Sequence, residues 1–314
     1  MEPIIQVQDL VKRYKKADRN AVDGISFSVE AGSFFALLGP NGAGKTTTIS
    51  VLTTTLLPTS GTIRVAGFDI VRQASRVRRN VGIIFQRPSL DINLSAEENV
   101  RFHAVLYGLY PFRPSFRMMP ATYREQLMQL AELLDLRDDI FKPIKTYSGG
   151  MMRKLEIVRS LIHRPRVLFL DEPTSGLDPL SRRNLWSYLR DVRKESGTTV
   201  FLTTHYLEEA EGADAVCILN RGQVVSYGTP AQVRADLVQE CLVIDAADRA
   251  RLRGELQERG LQFDETPQFR ISIDGRSVHQ LLKSLDTPLT LVETHRPSLE
   301  DAYLAIVARE GQDQ

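Results

Sequence analysis

The sequence lacks the features that place a chain outside the cytosol or inside a membrane. Cysteine is scarce, with Cys217 and Cys241 as the only two, and each lies within an apolar run. Such thiols are typical of a reducing compartment, and we expect both to be buried and free. No apolar run reaches the length of about 18 residues that indicates a transmembrane helix. The first residues also lack the basic-then-apolar plan of a signal peptide. We therefore expect a cytoplasmic protein.

Excess charge and repetitive sequence are also missing. The net charge is +1, so no dedicated nucleic-acid surface is expected. The hydrophobic fraction of 42% and the charged fraction of 25% are those of an ordinary globular protein. A length of 314 residues suggests two domains, or one large domain with an appendage.

The order of apolar patterns predicts two folds in series. Buried strands that alternate with helices predict an α/β fold with a mostly parallel sheet, and the alternating segments Ile4–Leu10 and Ala21–Val29 predict an antiparallel sheet. From Cys241 to Thr294 the order becomes β-α-β-β-α-β, that of a ferredoxin-like α+β fold, with an added helix at Leu299–Val307. We assign residues 1–228 to the first domain and 229–314 to a C-terminal accessory domain.

The strongest chemical signal is a stretch that fits the phosphate-binding pattern G-x-x-x-x-G-K-[ST]. Its residues are Gly39, Pro40, Asn41, Gly42, Ala43, Gly44, Lys45, Thr46 and Thr47. A buried strand precedes the stretch and an amphipathic helix follows it, which is the context that the pattern requires. Glycines let the backbone approach an anion, and the loop amides and helix N-terminus point their partial positive charge at phosphates. We expect Lys45 on the β- and γ-phosphates and the Thr46 hydroxyl on Mg²⁺.

A second signal is the apolar run Val167–Leu170, which ends in two acids. As a buried strand it would deliver both carboxylates beside the phosphate-binding loop. Asp171 suits the Mg²⁺ shell, and Glu172 suits the general base that activates water for attack on the γ-phosphate.

Between these two signals the chain resembles a known family. Ser148, Gly149 and Gly150, followed by Met151, resemble the signature L-S-G-G-Q of the nucleotide-binding domains of ABC transporters. A serine and two glycines at a helix N-terminus make an anion receptor. Tyr147 and Met151 depart from the family pattern, but both flank the Ser-Gly-Gly core. The resemblance implies an ATPase in which the signature closes over ATP held by a second copy in a head-to-tail dimer.

Four further residues match the family one by one. Gln86 resembles the glutamine that contacts Mg²⁺ and water, and His205 resembles the switch histidine on the γ-phosphate. Asp178 lies in a stretch that resembles the D-loop across the dimer, and Tyr14 resembles the aromatic residue that stacks on adenine. The resemblance covers about residues 4 to 228. It implies an ABC-type fold with a parallel core, an antiparallel β subdomain and a helical subdomain.

The family also implies partners and leaves alternatives. The stretch 296–304, with Ser298 as a candidate helix cap, resembles the ending of export-branch ATPases. We therefore expect separate transmembrane permease subunits, a peripheral position on the inner face of the membrane, and no nucleic-acid partner. A soluble ABC ATPase acting on ribosomes or DNA, an importer ATPase and a non-catalytic scaffold are the alternatives. The first usually has two nucleotide domains or a long coiled coil, and a scaffold would be free to lose Glu172.

The loop Tyr110–Pro120 carries aromatic and methionine side chains that are unusual for an irregular segment. Exposed, such side chains mark contact surfaces. We consider two hypotheses equally, namely that the loop docks on the transporter or membrane, or that it folds back on the helices of this chain.

Overall fold

The computed structural model describes residues 3–85, 89–174, 177–204, 206–237, 241–265, 267–273, 277–295 and 298–301. Its strands, in chain order, are β1 Ile5–Lys12, β2 Val22–Val29, β3 Phe34–Leu38, β4 Ser60–Val65, β5 Phe68–Asp69, β6 Val81–Ile84, β7 Val167–Asp171, β8 Thr199–Thr204, β9 Ala215–Asn220, β10 Gln223–Gly228, β11 Cys241–Ala246, β12 Phe263–Asp264, β13 Phe269–Ser272 and β14 Leu289–His295. The helices are α1 Lys45–Leu52, α2 Ala74–Asn80, α3 Ala96–Leu106, α4 Ala121–Leu133, α5 Gly149–Leu161, α6 Pro179–Ser196, α7 Leu207–Ala210, α8 Pro230–Leu237, α9 Arg249–Glu258 and α10 Val278–Lys283.

Two sheets form the first part of the chain. The first has the strand order β2-β1-β4-β5 with antiparallel pairs, which confirms the sheet expected from the alternating segments. The second has the order β10-β9-β3-β8-β7-β6. Its β9–β3, β3–β8, β8–β7 and β7–β6 pairs are parallel. The predicted α/β core with a mostly parallel sheet is therefore confirmed.

The central parallel strands are buried on both faces, as their apolar runs predicted. Every side chain of β3, β7 and β8 is buried. Phe201 of β8 packs against Phe35 and Phe169, with ring centroids 5.0 and 5.2 Å apart. Phe27 of β2 lies 5.4 Å from Phe35, so the two sheets share one hydrophobic core.

The strand register gathers the chemistry at one edge of the parallel sheet. Leu38 pairs with Thr204, and Asp171 pairs with Thr203. Because parallel strands end at the same edge, the loop after β3, the acids that end β7 and the last residue of β8 lie together there. This edge is where ligands bind in open α/β sheets.

The helical region between β6 and β7 begins at a capping box. Ser95 Oγ accepts from Glu98 N at 3.3 Å, and Glu98 Oε2 accepts from Ser95 N at 2.8 Å. The loop Tyr110–Pro120 is irregular, as expected, apart from a short 3₁₀ turn at Phe116–Met118. The structure adds elements that the sequence analysis did not anticipate, among them α2, α8 and β10.

The chain divides into two compact units, Met1–Tyr227 and Gly228–Gln314. The second unit contains a four-stranded antiparallel sheet of order β12-β13-β11-β14, in the chain order β-α-β-β-α-β. This confirms the predicted ferredoxin-like arrangement. Ser298 caps as expected, because its Oγ accepts from Asp301 N at 3.1 Å. Most of the expected helix Leu299–Val307 lies outside the described residues, and the domain assignments 1–228 and 229–314 stay predictions.

The cysteines differ in their burial. Cys217 is fully buried, whereas Cys241 is only partly buried, so the expectation of burial was wrong for Cys241. Both are free thiols. Within the described ranges, none of the helices combines the length and the apolar content that crossing a membrane requires.

Candidate functional site

The phosphate-binding loop joins β3 to α1, as its sequence pattern predicted. Three of its glycines, Gly39, Gly42 and Gly44, have positive φ angles of 151°, 82° and 106°. A Cβ at Gly39 would lie 2.2 Å from Leu219 O, and a Cβ at Gly44 would lie 2.5 Å from Ala21 O. Glycine is therefore required at both positions by the backbone around the loop. The loop backbone is therefore packed closely against the chain at Leu219 and Ala21.

Lys45 is buried inside this loop, with only 6% of its surface exposed. Its Nζ donates to Gly39 O at 2.7 Å and to Pro40 O at 3.1 Å. Burial lowers the pKa of Lys45, while the charges of Glu172 and Asp171 oppose this effect. The lysine predicted for the phosphates thus lies beside the two acids that were predicted for Mg²⁺ and for the base.

The remaining predicted loop residues differ in their exposure. Asn41, Gly42 and Thr46 are exposed, whereas Ala43 is buried. Tyr14 is 46% exposed, and its hydroxyl lies 3.3 Å from Thr47 Oγ1. The structure therefore places Tyr14 at the helix that follows the loop, with a ring that is open to solvent.

Asp171 ends β7 and is 4% exposed. Burial raises the pKa of its carboxyl group, and the hydrogen bond from Thr203 Oγ1 to Asp171 Oδ1, at 2.5 Å, opposes that effect. A buried carboxylate beside a buried lysine is an oxygen ligand of the kind that Mg²⁺ prefers.

Glu172 has an unusual backbone conformation, with a φ angle of 47°. The left-handed region costs a residue with a side chain roughly 1–2 kcal/mol. Hydrogen bonds hold both ends of the residue in this conformation, because Glu172 N donates to Thr203 O at 3.0 Å and Glu172 O accepts from Arg153 Nη2 at 3.3 Å. Strain of this kind concentrates at functional sites.

The signature residues open α5, as predicted. Ser148 is the N-cap, and its Oγ accepts from Met151 N at 3.2 Å. A Cβ at Gly149 would meet no atom within 4 Å, and at Gly150 the nearest atom would be 3.8 Å away. Neither glycine has a positive φ angle. Within the described part of the chain, no contact requires glycine at either position.

Comparisons with known proteins agree with this geometry. A family model described as ABC transporter matches residues 22–175. The chain is 37% identical over 320 residues to the Nod factor export ATP-binding protein I of Ralstonia nicotianae, covering 99% of this chain and 96% of that protein. The chain belongs to the ABC transporter family. It is also 36% identical to the daunorubicin/doxorubicin resistance ATP-binding protein of Streptomyces peucetius, covering 99% of this chain and 94% of that one.

A solved structure agrees with the fold of this ABC protein. It is described as the ATP binding subunit of an ABC transporter, is 30% identical and has a TM-score of 0.65, with 74% of this chain and 92% of that chain covered. The family resemblance, the ABC-type fold and the ATPase class inferred from the motifs are therefore confirmed. Members of this class dimerise and work with transmembrane subunits.

Three further predicted residues have different outcomes in this ABC fold. Asp178 caps α6, with its Oδ1 accepting from Leu180 N and Ser181 N at 3.0 Å each. Gln86 and His205 lie outside the described residues. Their predicted roles therefore stay predictions.

The structure also shows site residues that sequence reasoning missed. Arg153 contacts the carbonyl groups at the end of β7. Glu209 is 8% exposed and accepts from Thr204 Oγ1 at 2.6 Å and from Thr174 Oγ1. The regular spacing of charged residues along α5 was a signal for Arg153. Glu209 had no such signal, because nothing in the sequence indicated its burial.

The oxygen ligands at the loop are few. Among the described residues there is no group of three or more histidine, cysteine, aspartate and glutamate side chains that could hold a metal ion. A metal at this site therefore needs hydroxyl groups or ligand oxygens in addition to the carboxylates.

Proposed function

We propose that two copies of this chain bind and hydrolyse ATP between them, head to tail, and drive export through separate transmembrane permease subunits. The observation that supports the dimer most directly is the N-terminus of α5. It is an anion receptor with two glycines that no neighbour in the described chain requires. Binding of a phosphate held by a second copy would explain why these positions are glycine, because a side chain there would stand between the helix amides and the phosphate.

In each copy, the residues Gly39–Thr47 would hold the phosphates of ATP. The loop fits this ligand because it leads directly into the N-terminus of α1, where backbone amides favour an anion. Lys45 lies within the loop and would bind the β- and γ-phosphate oxygens. The exposed ring of Tyr14 would stack on adenine.

Mg²⁺ would be held by the Thr46 hydroxyl, by Asp171 and by Gln86, with phosphate oxygens completing the shell. These oxygen donors suit a hard cation. The bound ion would neutralise negative charge on the phosphates during transfer.

Glu172 would act as the general base. It takes a proton from water as the water oxygen attacks the γ-phosphorus, the bond to the β-γ bridging oxygen breaks, and ADP leaves with that electron pair. His205 would donate a hydrogen bond to the γ-phosphate. Ser148, Gly149 and Gly150 of the second copy would bind the same phosphate from the other side.

Export is supported by the relatives, which include a Nod factor export protein and a daunorubicin/doxorubicin resistance protein, both matched over nearly their whole length. The core motifs are shared with importers, which remain the alternative. A role on ribosomes or DNA is less well supported, because the chain carries one nucleotide-binding unit and has a net charge of only +1.

The docking surface for the permease would lie on the loop Tyr110–Pro120 and the end of α3, which keeps the protein on the inner face of the membrane. The loop has two parts. Met119 is 2% exposed and Phe116 packs on Tyr123 and Phe141, so this part folds back on the chain. Leu106, Phe112 and Met118 are 85%, 56% and 57% exposed and form the part that would dock.

Two substitutions test the ATPase mechanism. Glu172→Gln keeps a neutral isostere but removes the base, so the variant should bind ATP, accumulate as a dimer and lose about 10²–10⁴-fold in turnover. Lys45→Ala should instead weaken nucleotide binding itself. Wild-type turnover by Glu172→Gln would remove Glu172 from its role.

The contribution in trans has its own test. Ser148→Arg places a bulky cation where the γ-phosphate of the second copy must dock. Mixed dimers of Ser148→Arg with Lys45→Ala can form one site in which loop and signature are both intact, so mixing should restore part of the activity that each variant lacks. Equal ATP-driven dimerisation of Ser148→Arg and wild type would contradict the head-to-tail arrangement.

A further inference from the structure

One face of α5 carries three charged residues spaced three apart, Arg153, Glu156 and Arg159. Arg153 and Glu156 are 6% and 1% exposed. Arg153 Nη1 lies 3.0 Å from Glu156 Oε2, and Arg159 Nη2 lies 3.8 Å from Glu156 Oε1. Burying such charges is costly unless they are paired and hydrogen-bonded. We call these three residues the α5 ladder.

Arg153 uses its capacity on the backbone at the end of β7. Its Nε donates to Pro173 O at 2.8 Å, and its Nη2 donates to Asp171 O at 3.4 Å and to Glu172 O at 3.3 Å. Nη1 donates to Phe85 O. A guanidinium group can do this because it presents five N–H donors in one plane, which an ammonium group cannot reproduce.

The other two members of the ladder hold Ser89. Glu156 Oε1 accepts from Ser89 N at 2.9 Å, and Arg159 Nη1 donates to Ser89 O at 2.8 Å. Phe85 and Ser89 are the described residues on either side of 86–88. The same helix therefore fixes the chain on both sides of that segment and at the proposed base.

We infer that Arg153 is a positioning residue for hydrolysis, which holds Glu172 in its left-handed conformation and links that conformation to the signature helix. The strain at Glu172 persists only if its surroundings determine the backbone. Thr203 O accepts from the amide of Glu172 and Arg153 donates to its carbonyl, so these two contacts hold the backbone from which the carboxylate extends. The inference rests on the proposed role of Glu172.

The proposed signature site and Arg153 lie on one helix. Ser148 caps α5, and Arg153 lies five positions later. The backbone of the proposed base is therefore joined by a side chain to the helix that begins at the signature.

The test is a double-mutant cycle between Arg153→Gln and Glu172→Gln, in which kcat for ATP hydrolysis and the affinity for ATP are measured for each variant. Arg153→Gln alone should lower kcat by about 10²-fold, the effect of a catalytic group displaced by about 1 Å. ATP affinity should change by less than about threefold, because the phosphate-binding loop is untouched. In the Glu172→Gln background the same substitution should have almost no effect, because the group that it positions is absent.

Matched variants exclude a merely structural role. Lys154→Met changes the neighbouring residue of α5, whose exposed partner is Asp135, and should leave both kcat and ATP affinity unchanged. Arg153→Lys retains the positive charge but has fewer N–H donors for the carbonyl groups at the end of β7. Its kcat should therefore lie between those of wild type and Arg153→Gln. If Arg153→Gln does not fold, the same cycle is run with Arg153→Lys.

The outcomes separate the inference from the proposed function. Equal fold losses in the wild-type and Glu172→Gln backgrounds would overturn the positioning role of Arg153 while leaving Glu172 as the base. Wild-type turnover by Glu172→Gln alone would overturn the base assignment itself. A parallel fall in ATP affinity and kcat for Arg153→Gln would also contradict positioning.

Discussion

Gly149→Ala is the substitution that most sharply separates stability from activity in this protein. Gly149 is the first residue of α5, its φ angle is not positive, and a Cβ there would meet no atom within 4 Å. Alanine therefore fits the fold of the single chain. If the signature binds a phosphate of a second copy, the added methyl group stands between the helix amides and that phosphate.

Gly149→Ala should raise the folding stability and lower the ATP turnover. Replacing glycine by alanine at a compatible position stabilises a protein by about 0.4–1 kcal/mol, because the unfolded chain loses conformational freedom. For a unit of about 227 residues this corresponds to a rise of about 1–4 °C in Tm. ATP turnover should fall by about 10²-fold or more, as for loss of one oxyanion donor.

The assay combines thermal unfolding, ATP binding and ATP-driven dimerisation of purified protein. Gly254→Ala is the control, because Gly254 lies inside α9, its φ angle is not positive, and a Cβ there would also meet no atom within 4 Å. It should be stabilising without an effect on turnover. Gly149→Ala protein that hydrolyses ATP and dimerises like wild type would refute the reasoning, since the glycine would then have no role in trans.

Further substitutions probe the loop, the metal site and the docking surface. Gly39→Ala should weaken ATP binding about tenfold or more. Its Cβ would lie 2.2 Å from a backbone oxygen, and the loop must shift to relieve strain of about 1–3 kcal/mol. Nucleotide titration measures the affinity, and an unchanged affinity would contradict the loop geometry. Thr203→Val removes the hydroxyl that lowers the pKa of Asp171, so the pKa of Asp171 should rise further. The acid limb of Mg²⁺-dependent turnover should then move to higher pH. An unmoved acid limb in the pH–rate profile would exclude Asp171 as the group that titrates there. Met119→Ala should cost about 2–5 kcal/mol of folding stability. Phe112 is exposed and stacks on Phe102, so Phe112→Ser should cost no more than about 0.5–1.5 kcal/mol and should weaken co-purification with the permease. Normal transport by Phe112→Ser would end the docking hypothesis.

The strands and the helix termini could be predicted because the relevant signals are local. The all-apolar runs before the phosphate-binding loop and before Asp171 predicted buried strands, and Ser148 with its two glycines predicted the start of α5. In contrast, α2 carries a single buried apolar residue, Val77, and no side-chain cap. Its helical state depends on tertiary contacts that no local pattern indicates.

The residues of the candidate site show the same difference between local signals and tertiary contacts. The loop, the acids of β7 and the signature were found from motifs, because each is a contiguous segment. Arg153 and Glu209 were missed because their partners lie 20 and 35 residues away, at Pro173 and Thr174. Only the fold brings those atoms into contact, so the sequence could indicate charge at these positions but not its use.

Three features at the proposed phosphate sites conflict with the local preferences of the chain. Lys45 is a buried cation, Glu172 has a left-handed backbone, and Gly149 occupies a helix where alanine would fit. Proteins retain such conflicts chiefly where function requires them. Lys45 and Glu172 have their structural explanation within this chain, in the loop carbonyls and in Arg153 and Thr203. Gly149 has none in the described chain, and the phosphate of a second copy is the explanation that we propose for it.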